Sequence, residues 1–225
     1  MIQPKETVTV GWCDNGLADG KFTEGLVGVI LAAPRNGMKI SHSLRVSGNQ
    51  ISRQRQRLLD HWYDKNLSDW LLWVDSDIVL DIDSLYLLWN TADSKDKPIV
   101  SGIYFISKEP EGTMMRPWPC VFQDMGDNQI QYIHPLPVDE VIECDLAGFG
   151  LLLMHRSVVK QMRKKHPKKS FFNEQVGTTD SEFVGEDIIF FRKLKETGIK
   201  LHAHTGALVK HMKRFSLDFG YYALY

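Results

Sequence analysis

Long apolar segments are absent from this sequence of 225 residues, and no stretch approaches the roughly 20 apolar residues that a membrane-spanning helix needs. The first residues, MIQPKETVTVGW, also lack the apolar core of a secretory signal peptide. Cysteine is scarce: Cys13, Cys120 and Cys144 are widely spaced and form neither a C-x-x-C motif nor a disulfide framework. We therefore expect a cytoplasmic protein that does not associate with a membrane.

A general excess of positive charge is absent as well, because the formal net charge is -1. This balance excludes non-specific binding to nucleic acid through an overall basic field. Two local basic clusters remain, which leave room for an anionic partner without demanding one and are also typical of simple solvated surface. The clusters are Lys164, Lys165, Lys168 and Lys169, and, later in the chain, Lys210, Lys213 and Arg214.

The composition is that of a single globular domain, with 43% hydrophobic and 24% charged residues and no internal repeat. In the first half, predicted strands alternate with predicted helices, which indicates a parallel sheet with right-handed crossovers. The predicted strands are 7–12, 38–46, 70–74 and 98–105, and the predicted helices are 23–33, 51–62 and 82–90.

The second half has a more mixed pattern. Its segment 107–137 is rich in Pro, Gly and Met, which predicts a long loop or short antiparallel excursions. The predicted strands that follow are 141–145, 151–155, 199–203 and 207–209, and the predicted helices are 157–165 and 186–197.

The most informative motif is Asp75-Ser76-Asp77, which directly follows the apolar run 70–74. That run is too short and too apolar to be anything but a buried strand. Open α/β sheets bind ligands outside the carboxyl ends of their strands, and two carboxylates there suit Mg²⁺ or Mn²⁺ with a phosphate-bearing substrate. Acidic residues also follow strands simply as helix caps, so the motif needs support from other parts of the chain.

Two further groups could complete such a site. Glu186 and Asp187 begin a predicted helix, where acids complement the helix dipole, but a carboxylate held there could also take a proton from an acceptor hydroxyl. His211 follows a short apolar strand and could add an imidazole nitrogen to a metal site, with His202 and His204 as alternatives.

Basic residues on the helix 51–62 could bind a diphosphate, or they could simply form a solvated helix face. Arg53, Arg55 and Arg57 follow the turn after the second strand, where an arginine could clamp a diphosphate through two hydrogen bonds. Their alternate spacing prevents all three from pointing the same way. Asp14, which follows the first strand, is expected near the nucleobase.

Taken in order, the motifs D-S-D, V-S-G-I-Y-F, A-G-F-G-L-L-L-M-H-R, G-E-D-I-I-F-F-R and V-K-H resemble the GT-A class of nucleotide-sugar glycosyltransferases, particularly the small stand-alone type encoded by bacteriophages. The similarity runs from about residue 7 to 213. It implies a Rossmann-like α/β fold, with a mixed, mainly parallel central sheet flanked by helices. It also implies one domain over 1–225, with a nucleotide-sugar half at about 1–105 and an acceptor-binding and catalytic half at about 106–225.

The resemblance also implies roles around the nucleotide. Asp77 matches the direct ligand of Mn²⁺ or Mg²⁺, and His211 matches the histidine that often completes the metal site. Asp75 matches the residue that contacts the ribose or the metal, with Ser76 beside it in the donor site. Arg55 matches an arginine near the nucleotide, and Arg53 on the same helix is a second candidate.

On the acceptor side, Asp187 matches the base of inverting members, with Glu186 beside it as a second catalytic candidate. Gly148 and Gly150 match a small-residue stretch that lines the sugar and the acceptor. Gln56 departs from the family pattern, in which Asn commonly follows the arginine.

The resulting hypothesis is a metal-dependent, inverting glycosyltransferase that moves a sugar from a nucleotide-diphosphate sugar, most simply a UDP-sugar, to an acceptor hydroxyl. A modified base in phage DNA is one acceptor to consider, and the location would then be the host cytoplasm. If configuration is retained, Asp187 would instead orient the acceptor or the sugar. A nucleotidyltransferase is an alternative, although 11–21 matches the glycine-rich basic loop of such enzymes poorly. A non-catalytic nucleotide-sugar-binding protein is another.

Overall fold

The structure is a computed structural model that describes residues 6–108, 116–126, 128–167, 170–174 and 184–213. Its strands are β1 (Thr7–Asp14), β2 (Lys39–Ser47), β3 (Trp70–Val74), β4 (Ile78–Val79), β5 (Ile99–Ile103), β6 (Phe105–Lys108), β7 (Arg116–Pro119), β8 (Val121–Gly126), β9 (Gln129–Tyr132), β10 (Val141–Cys144), β11 (Leu146–Ala147), β12 (Leu151–His155), β13 (Leu201–Leu208) and β14 (Lys210–His211). Its α-helices are α1 (Gly20–Ala32), α2 (Ile51–Asp64), α3 (Ile82–Thr91), α4 (Arg156–Lys165) and α5 (Glu186–Lys195).

The central sheet has the strand order β10-β13-β5-β12-β3-β1-β2. Strands β1, β2, β3, β5 and β13 point in one direction, whereas β10 and β12 run the opposite way. The predicted mixed, mainly parallel sheet is therefore confirmed. Because β1, β3 and β5 are parallel, their carboxyl ends meet at the same edge of the sheet, and this edge carries the candidate site.

Helices cover both faces of the sheet, so its inner strands are buried on both sides. All residues of β3 and β5 are buried, which explains the continuous apolar sequence of β3. Leu58 of α2 and Phe190 of α5 belong to the apolar cluster on one face, while Phe22 of α1 and Leu85 of α3 belong to the cluster on the other. Within the described residues, each helix is too short or too polar to cross a membrane.

The segment 107–137 forms antiparallel structure, as one of the two sequence interpretations predicted. Strands β6 and β7 pair with each other, and β8 lies between β11 and β9 in a small three-stranded sheet. Residues 109–115 and 127 of this segment lie outside the described residues. The predicted strand 98–105 is divided into β5 and β6, because the backbone N–H of Tyr104 donates to the Cys120 sulfur instead of to a neighbouring strand.

The prediction of two separate strands at 199–203 and 207–209 is wrong. The structure has one strand, β13, which continues through Gly206. The N–H of Thr205 donates to the carbonyl of Glu140 at 2.8 Å, which keeps the chain extended between the two predicted strands. The pairing of β13 with β5 shifts register between Ala203 and Leu208, so the irregularity appears as a bulge and not as a loop.

The close packing of β5 makes a stability prediction. A Cβ atom on Gly102 would lie 2.4 Å from Cδ2 of Leu151 and 3.0 Å from the carbonyl oxygen of Ala207, and the carbonyl belongs to the backbone of a neighbouring strand. We expect Gly102→Ala to lower the free energy of unfolding by about 1–3 kcal/mol, measured by urea titration.

Gly28→Ala provides the matched control, since a Cβ atom there meets nothing within 4 Å on exposed α1. Alanine is the better helix former, so this variant should gain up to about 1 kcal/mol. Equal stability of the two variants would contradict the described packing of β5.

Candidate functional site

The buried guanidinium of Arg55 is the centre of the candidate site. Its Nη1 donates to Oε1 of Glu186 at 2.5 Å, and its Nη2 donates to Oδ1 and Oδ2 of Asp75 at 3.0 and 3.3 Å. The Arg55 side chain is 8% exposed, and its Cζ lies 4.9 Å from the centre of the Phe149 ring. One arginine of α2 thus joins the end of β3 to the start of α5.

The amphipathic pattern of α2 explains why Arg55, among the three arginines, enters the site. Arg55 lies three and four residues before the buried Leu58 and Leu59, so it shares their face of the helix. Arg53 and Arg57 lie on the exposed side of α2. The structure therefore places Arg55 in the site, while a contact of Arg53 with a donor phosphate stays a prediction.

Two partly buried carboxylates at the start of α5 face this arginine. Burial raises the pKa of Glu186, the positive charge of Arg55 opposes that rise, and the neighbouring Asp187 adds to it. Burial likewise raises the pKa of Asp187 against the effect of Arg55, and Asp75 adds to the rise. Oδ1 of Asp187 accepts the backbone N–H of Ile188 at 2.8 Å, which fixes the carboxylate at the helix start. A carboxylate with a raised pKa binds protons more readily than one in water, as a general base requires.

A short antiparallel pairing brings the second aspartate of D-S-D to His211. Strand β14 pairs with β4 so that His211 lies opposite Ile78, and the N–H of Met212 donates to the carbonyl of Asp77 at 2.8 Å. As a result, Nε2 of His211 lies 3.1 Å from Oδ2 of Asp77, although 134 residues separate them in sequence.

The orientation of the His211 ring suits a metal ligand. Its Nδ1 lies 3.0 Å from the carbonyl oxygen of Phe105, which can only accept a hydrogen bond, so Nδ1 carries a proton and Nε2 faces Asp77. Metal-binding histidines usually donate their other N–H to a carbonyl or carboxylate in this way. Burial acts to raise the pKa of Asp77, but the hydrogen bond that a charged His211 donates through Nε2, the charge of His211 and the charge of Lys213 bring it below its ordinary value. A bound metal ion would replace this Nε2 proton between the two side chains.

The nitrogen of His211 and the oxygen of Asp77 form a donor pair that Mn²⁺ accepts. Across the described ranges, no group of three or more His, Cys, Asp or Glu side chains is arranged to hold a metal ion. Of the three predicted metal ligands, the structure brings Asp77 and His211 together. Both oxygens of the third, Asp75, accept hydrogen bonds from Arg55. A role of Asp75 in metal binding stays a prediction.

The backbone of the D-S-D motif is held from two sides. The N–H of Asp75 donates to the carbonyl of Gly150 at 3.3 Å, and the N–H of Ile78 donates back to the carbonyl of Asp75 at 3.0 Å, which closes a tight turn. The carbonyl of Ser76 accepts the N–H of Asp19 at 3.1 Å and so ties the loop after β1 to the motif.

Asp14 lies at the carboxyl end of β1, where it makes a two-point contact that the sequence did not predict. Nε and Nη2 of Arg45 donate to Oδ2 and Oδ1 of Asp14 at 2.5 and 2.8 Å, and the N–H of Gly16 donates to Oδ1 at 2.8 Å. The hydrogen bond from Arg45 is the main reason that the pKa of Asp14 falls to about 2. Asp14 thereby shapes the loop expected to face the nucleobase, while its own contact with a base stays a prediction.

Tyr104 accounts for the two glycines of the predicted sugar-binding stretch. A Cβ atom on Gly148 would lie 1.9 Å from the Tyr104 hydroxyl, and one on Gly150 would lie 2.6 Å from Cε1 of its ring. Sequence reasoning missed this tyrosine, although it lies in the quoted V-S-G-I-Y-F motif. The paired glycines were the available sign that a large side chain packs against them.

Gln56, which departs from the family pattern, anchors a neighbouring segment. Its Oε1 accepts the N–H of Phe171 at 2.7 Å and the hydroxyl of Ser170 at 3.0 Å. The residues 175–183 that follow lie outside the described residues.

Substitution of the central arginine should destabilise the protein, because the buried carboxylates then lack a positive partner. We expect Arg55→Met to lower the free energy of unfolding by about 3–5 kcal/mol at pH 7, because Asp75 and Glu186 lose their partner. The charge of Arg55 lowers the pKa of both Glu186 and Asp187, so its removal should raise these already elevated pKa values further, and the variant should take up these protons at a higher pH than the wild-type protein does. The loss should therefore shrink as the pH falls towards 5.

Arg57→Met, the same change on the exposed side of α2, should alter stability by less than about 0.5 kcal/mol at either pH. Urea titrations of both variants at the two pH values make the comparison. Equal stability of the two at pH 7 would refute the central role of Arg55.

Comparison with known proteins identifies the fold. The sequence matches no protein-family model and no curated protein. Among solved structures, A197 from STIV is similar with a TM-score of 0.58 and 18% identity, over 92% of this chain and 86% of that one. GalNAc-T7, solved with UDP, GalNAc and Mn²⁺, is similar with a TM-score of 0.57 and 12% identity. That match covers 94% of this chain but 44% of GalNAc-T7, so this chain spans less than half of that protein's length. Such identities establish the fold alone, and the predicted GT-A-like architecture is confirmed.

Proposed function

We propose that the protein is a metal-dependent glycosyltransferase that moves a sugar from a nucleotide-diphosphate sugar, first of all a UDP-sugar, to an acceptor hydroxyl. The observation that carries the proposal is the placement of the Asp77–His211 pair and the Arg55 ion-pair network at one edge of a GT-A-like sheet. The crystallisation of the structurally similar GalNAc-T7 with UDP and Mn²⁺ supports it as an analogy.

In this proposal, Asp77 and His211 hold Mn²⁺ or Mg²⁺ through one oxygen and one nitrogen. The ion would supply the positive charge that stabilises the departing diphosphate. Two protein ligands suit this task, because such ions commonly keep waters and substrate phosphates in their remaining positions. Asp75, as a further ligand or as a contact to the ribose, would complete the donor side. The other residues that we assign to nucleotide-sugar binding are Asp14, Arg53, Arg55, Ser76, Gly148 and Gly150.

Asp187 is the proposed base of an inverting reaction. Its buried position and raised pKa suit a group that takes the acceptor proton as the sugar is transferred. Glu186 accepts a charged hydrogen bond from Arg55, so we assign it to orientation of the catalytic end of α5. In this division, about 1–105 would bind the donor and about 106–225 would bind the acceptor and carry the base.

An acceptor that carries phosphate would fit the surface beside Asp77 and His211, the proposed metal ligands. Lys210 and Lys213 are exposed within two residues of His211. Lys164 and Lys165 are exposed on α4, which begins where β12 ends, beside Trp70 at the start of β3 and thus at the opposite edge of the sheet. The remaining members of the two basic clusters, Lys168, Lys169 and Arg214, lie outside the described residues. DNA with a hydroxylated base is therefore one acceptor to test beside saccharides, as for a phage-type member.

Two rival functions give different products. A nucleotidyltransferase would join a nucleoside triphosphate to a sugar phosphate and release pyrophosphate, whereas a binding protein would take up the nucleotide-sugar without releasing UDP. An assay for pyrophosphate beside one for UDP separates the three functions.

The metal assignment predicts a loss of nucleotide binding. We expect Asp77→Ala and His211→Ala each to weaken the Mn²⁺-dependent affinity for UDP at least about tenfold, which is about 1.4 kcal/mol, and to abolish transfer. Calorimetric titration of UDP with Mn²⁺ or with EDTA measures this. Asp83→Ala, which removes an exposed aspartate from the first turn of α3, should bind UDP like the wild-type protein. Wild-type affinity in Asp77→Ala would remove that residue from the metal site.

The assignment of Asp187 as the base predicts that its substitution lowers the rate of sugar transfer without weakening the binding of UDP. Asp187→Asn should bind UDP within about threefold of the wild-type protein and lose transfer about 10²–10⁴-fold. Since a base acts when deprotonated, wild-type turnover should fall as the pH drops through the raised pKa of Asp187, and this acid limb should disappear in the variant. Asp83→Asn serves as the control with an unchanged pH profile. Full transfer by Asp187→Asn would refute the base role.

A further inference from the structure

Tyr104 lies between the two parts of the candidate site, the Asp77–His211 pair and the Arg55 network. Its ring meets the His211 ring edge to face, with 5.2 Å between the centres and an angle of 88° between the planes. The same His211 ring is held on its Nδ1 side by the carbonyl of Phe105, the next residue in the chain. Tyr104 therefore restrains the plane of the His211 ring, and Phe105 restrains its Nδ1 atom.

The hydroxyl end of Tyr104 meets the backbone that supports Asp75. The N–H of Gly150 donates to the Tyr104 hydroxyl at 3.4 Å, and the carbonyl of the same glycine accepts the N–H of Asp75 at 3.3 Å. Gly148 approaches this hydroxyl so closely that a Cβ atom there would lie 1.9 Å from it. Gly150 therefore connects the Tyr104 hydroxyl to the backbone of Asp75, the first aspartate of the D-S-D motif.

The backbone of Tyr104 is fixed independently of its side chain. Its N–H donates to the Cys120 sulfur at 3.4 Å, and its carbonyl accepts the N–H of Cys120 at 3.1 Å. The residue is 6% exposed, and burial raises its pKa well above the ordinary value, so the hydroxyl stays protonated at neutral pH. Substitutions of the side chain should therefore act through the ring and the hydroxyl, and not by moving the strand.

We propose that Tyr104 is a positioning residue with two separable contacts: its ring sets the plane of His211, and its hydroxyl sets the backbone of Asp75. The inference rests on the proposed function, because it assigns His211 to the metal and Asp75 to the nucleotide. It adds that one buried side chain aligns the two. The ring should then govern metal affinity, while the hydroxyl should govern nucleotide affinity at saturating metal.

Two substitutions separate the contacts. Tyr104→Phe keeps the ring and should leave the affinity for Mn²⁺ within about twofold, while weakening the binding of UDP at saturating Mn²⁺ about fivefold, the factor expected for one hydrogen bond. Tyr104→Leu removes the ring and should weaken Mn²⁺ itself by a similar factor. Titration with Mn²⁺ alone, then with UDP at saturating Mn²⁺, gives both constants without a transfer assay.

Tyr86→Phe is the matched control, since the Tyr86 hydroxyl also meets a backbone group, the carbonyl of Ala32 at 2.9 Å, but lies on α3. It should bind Mn²⁺ and UDP like the wild-type protein. If Tyr104→Phe binds UDP as tightly as Tyr86→Phe does, the role of the hydroxyl is overturned. If Tyr104→Leu keeps the wild-type affinity for Mn²⁺, the role of the ring is overturned.

The glycines test the hydroxyl contact by a double-mutant cycle. Gly148→Ala places its Cβ atom against the Tyr104 hydroxyl, whereas Gly150→Ala places it against the ring. Tyr104→Phe should therefore restore part of the stability lost in Gly148→Ala and none of that lost in Gly150→Ala, read from urea midpoints. Equal restoration in both would contradict the inference. Because transfer is not a readout, an absence of transfer would count against the proposed function and not against Tyr104.

Discussion

The ion pairs of Arg55 with Asp75 and Glu186 join three elements that are far apart in sequence: helix α2, the end of β3 and the start of α5. Carboxylates taken out of water are costly unless they are paired, and Asp187 adds a third negative charge within range of the same guanidinium. This one positive charge allows the acidic groups to lie together at the edge of the sheet. Burial raises the pKa values of Glu186 and Asp187 although the charge of Arg55 opposes the rise, and carboxylates with raised pKa values are typical of groups that exchange protons in active sites.

The second constraint is backbone pairing. The β4–β14 bridge places His211 beside Asp77, and the carbonyl of Phe105 orients the imidazole. The Asp77–His211 pair and the arginine network are thus built independently, one from the pairing of short strands and the other from side chains of α2, α5 and the end of β3. Tyr104 lies between them and touches both, through His211 and through Gly150. Asp75 and Asp77, although two residues apart, consequently have different partners.

Sequence patterns predicted the parts of the fold that depend on local periodicity. The apolar run of β3, the amphipathic face of α2 and the start of α5 at Glu186 agree with the structure. The site is less accessible to such reasoning, because the approach of His211 to Asp77 was an expectation from family resemblance and the pairing of Asp75 with Arg55 depends on the packing of α2. The continuity of β13 through Gly206 and the contact of Tyr104 with Gly148 both arise from tertiary hydrogen bonds and packing that leave no periodic trace. The chemical roles assigned to the site residues remain predictions.

The central claim is that this edge of the sheet binds a nucleotide-sugar through a divalent cation and releases its nucleotide. A screen of UDP- and GDP-sugars with the wild-type protein, read by nucleotide release with Mn²⁺ and again with EDTA, tests it most directly. The account predicts release of UDP from at least one UDP-sugar with Mn²⁺ and none with EDTA. Release that is equally fast in EDTA, or no release from any donor in the presence of saccharide and DNA acceptors, would contradict it.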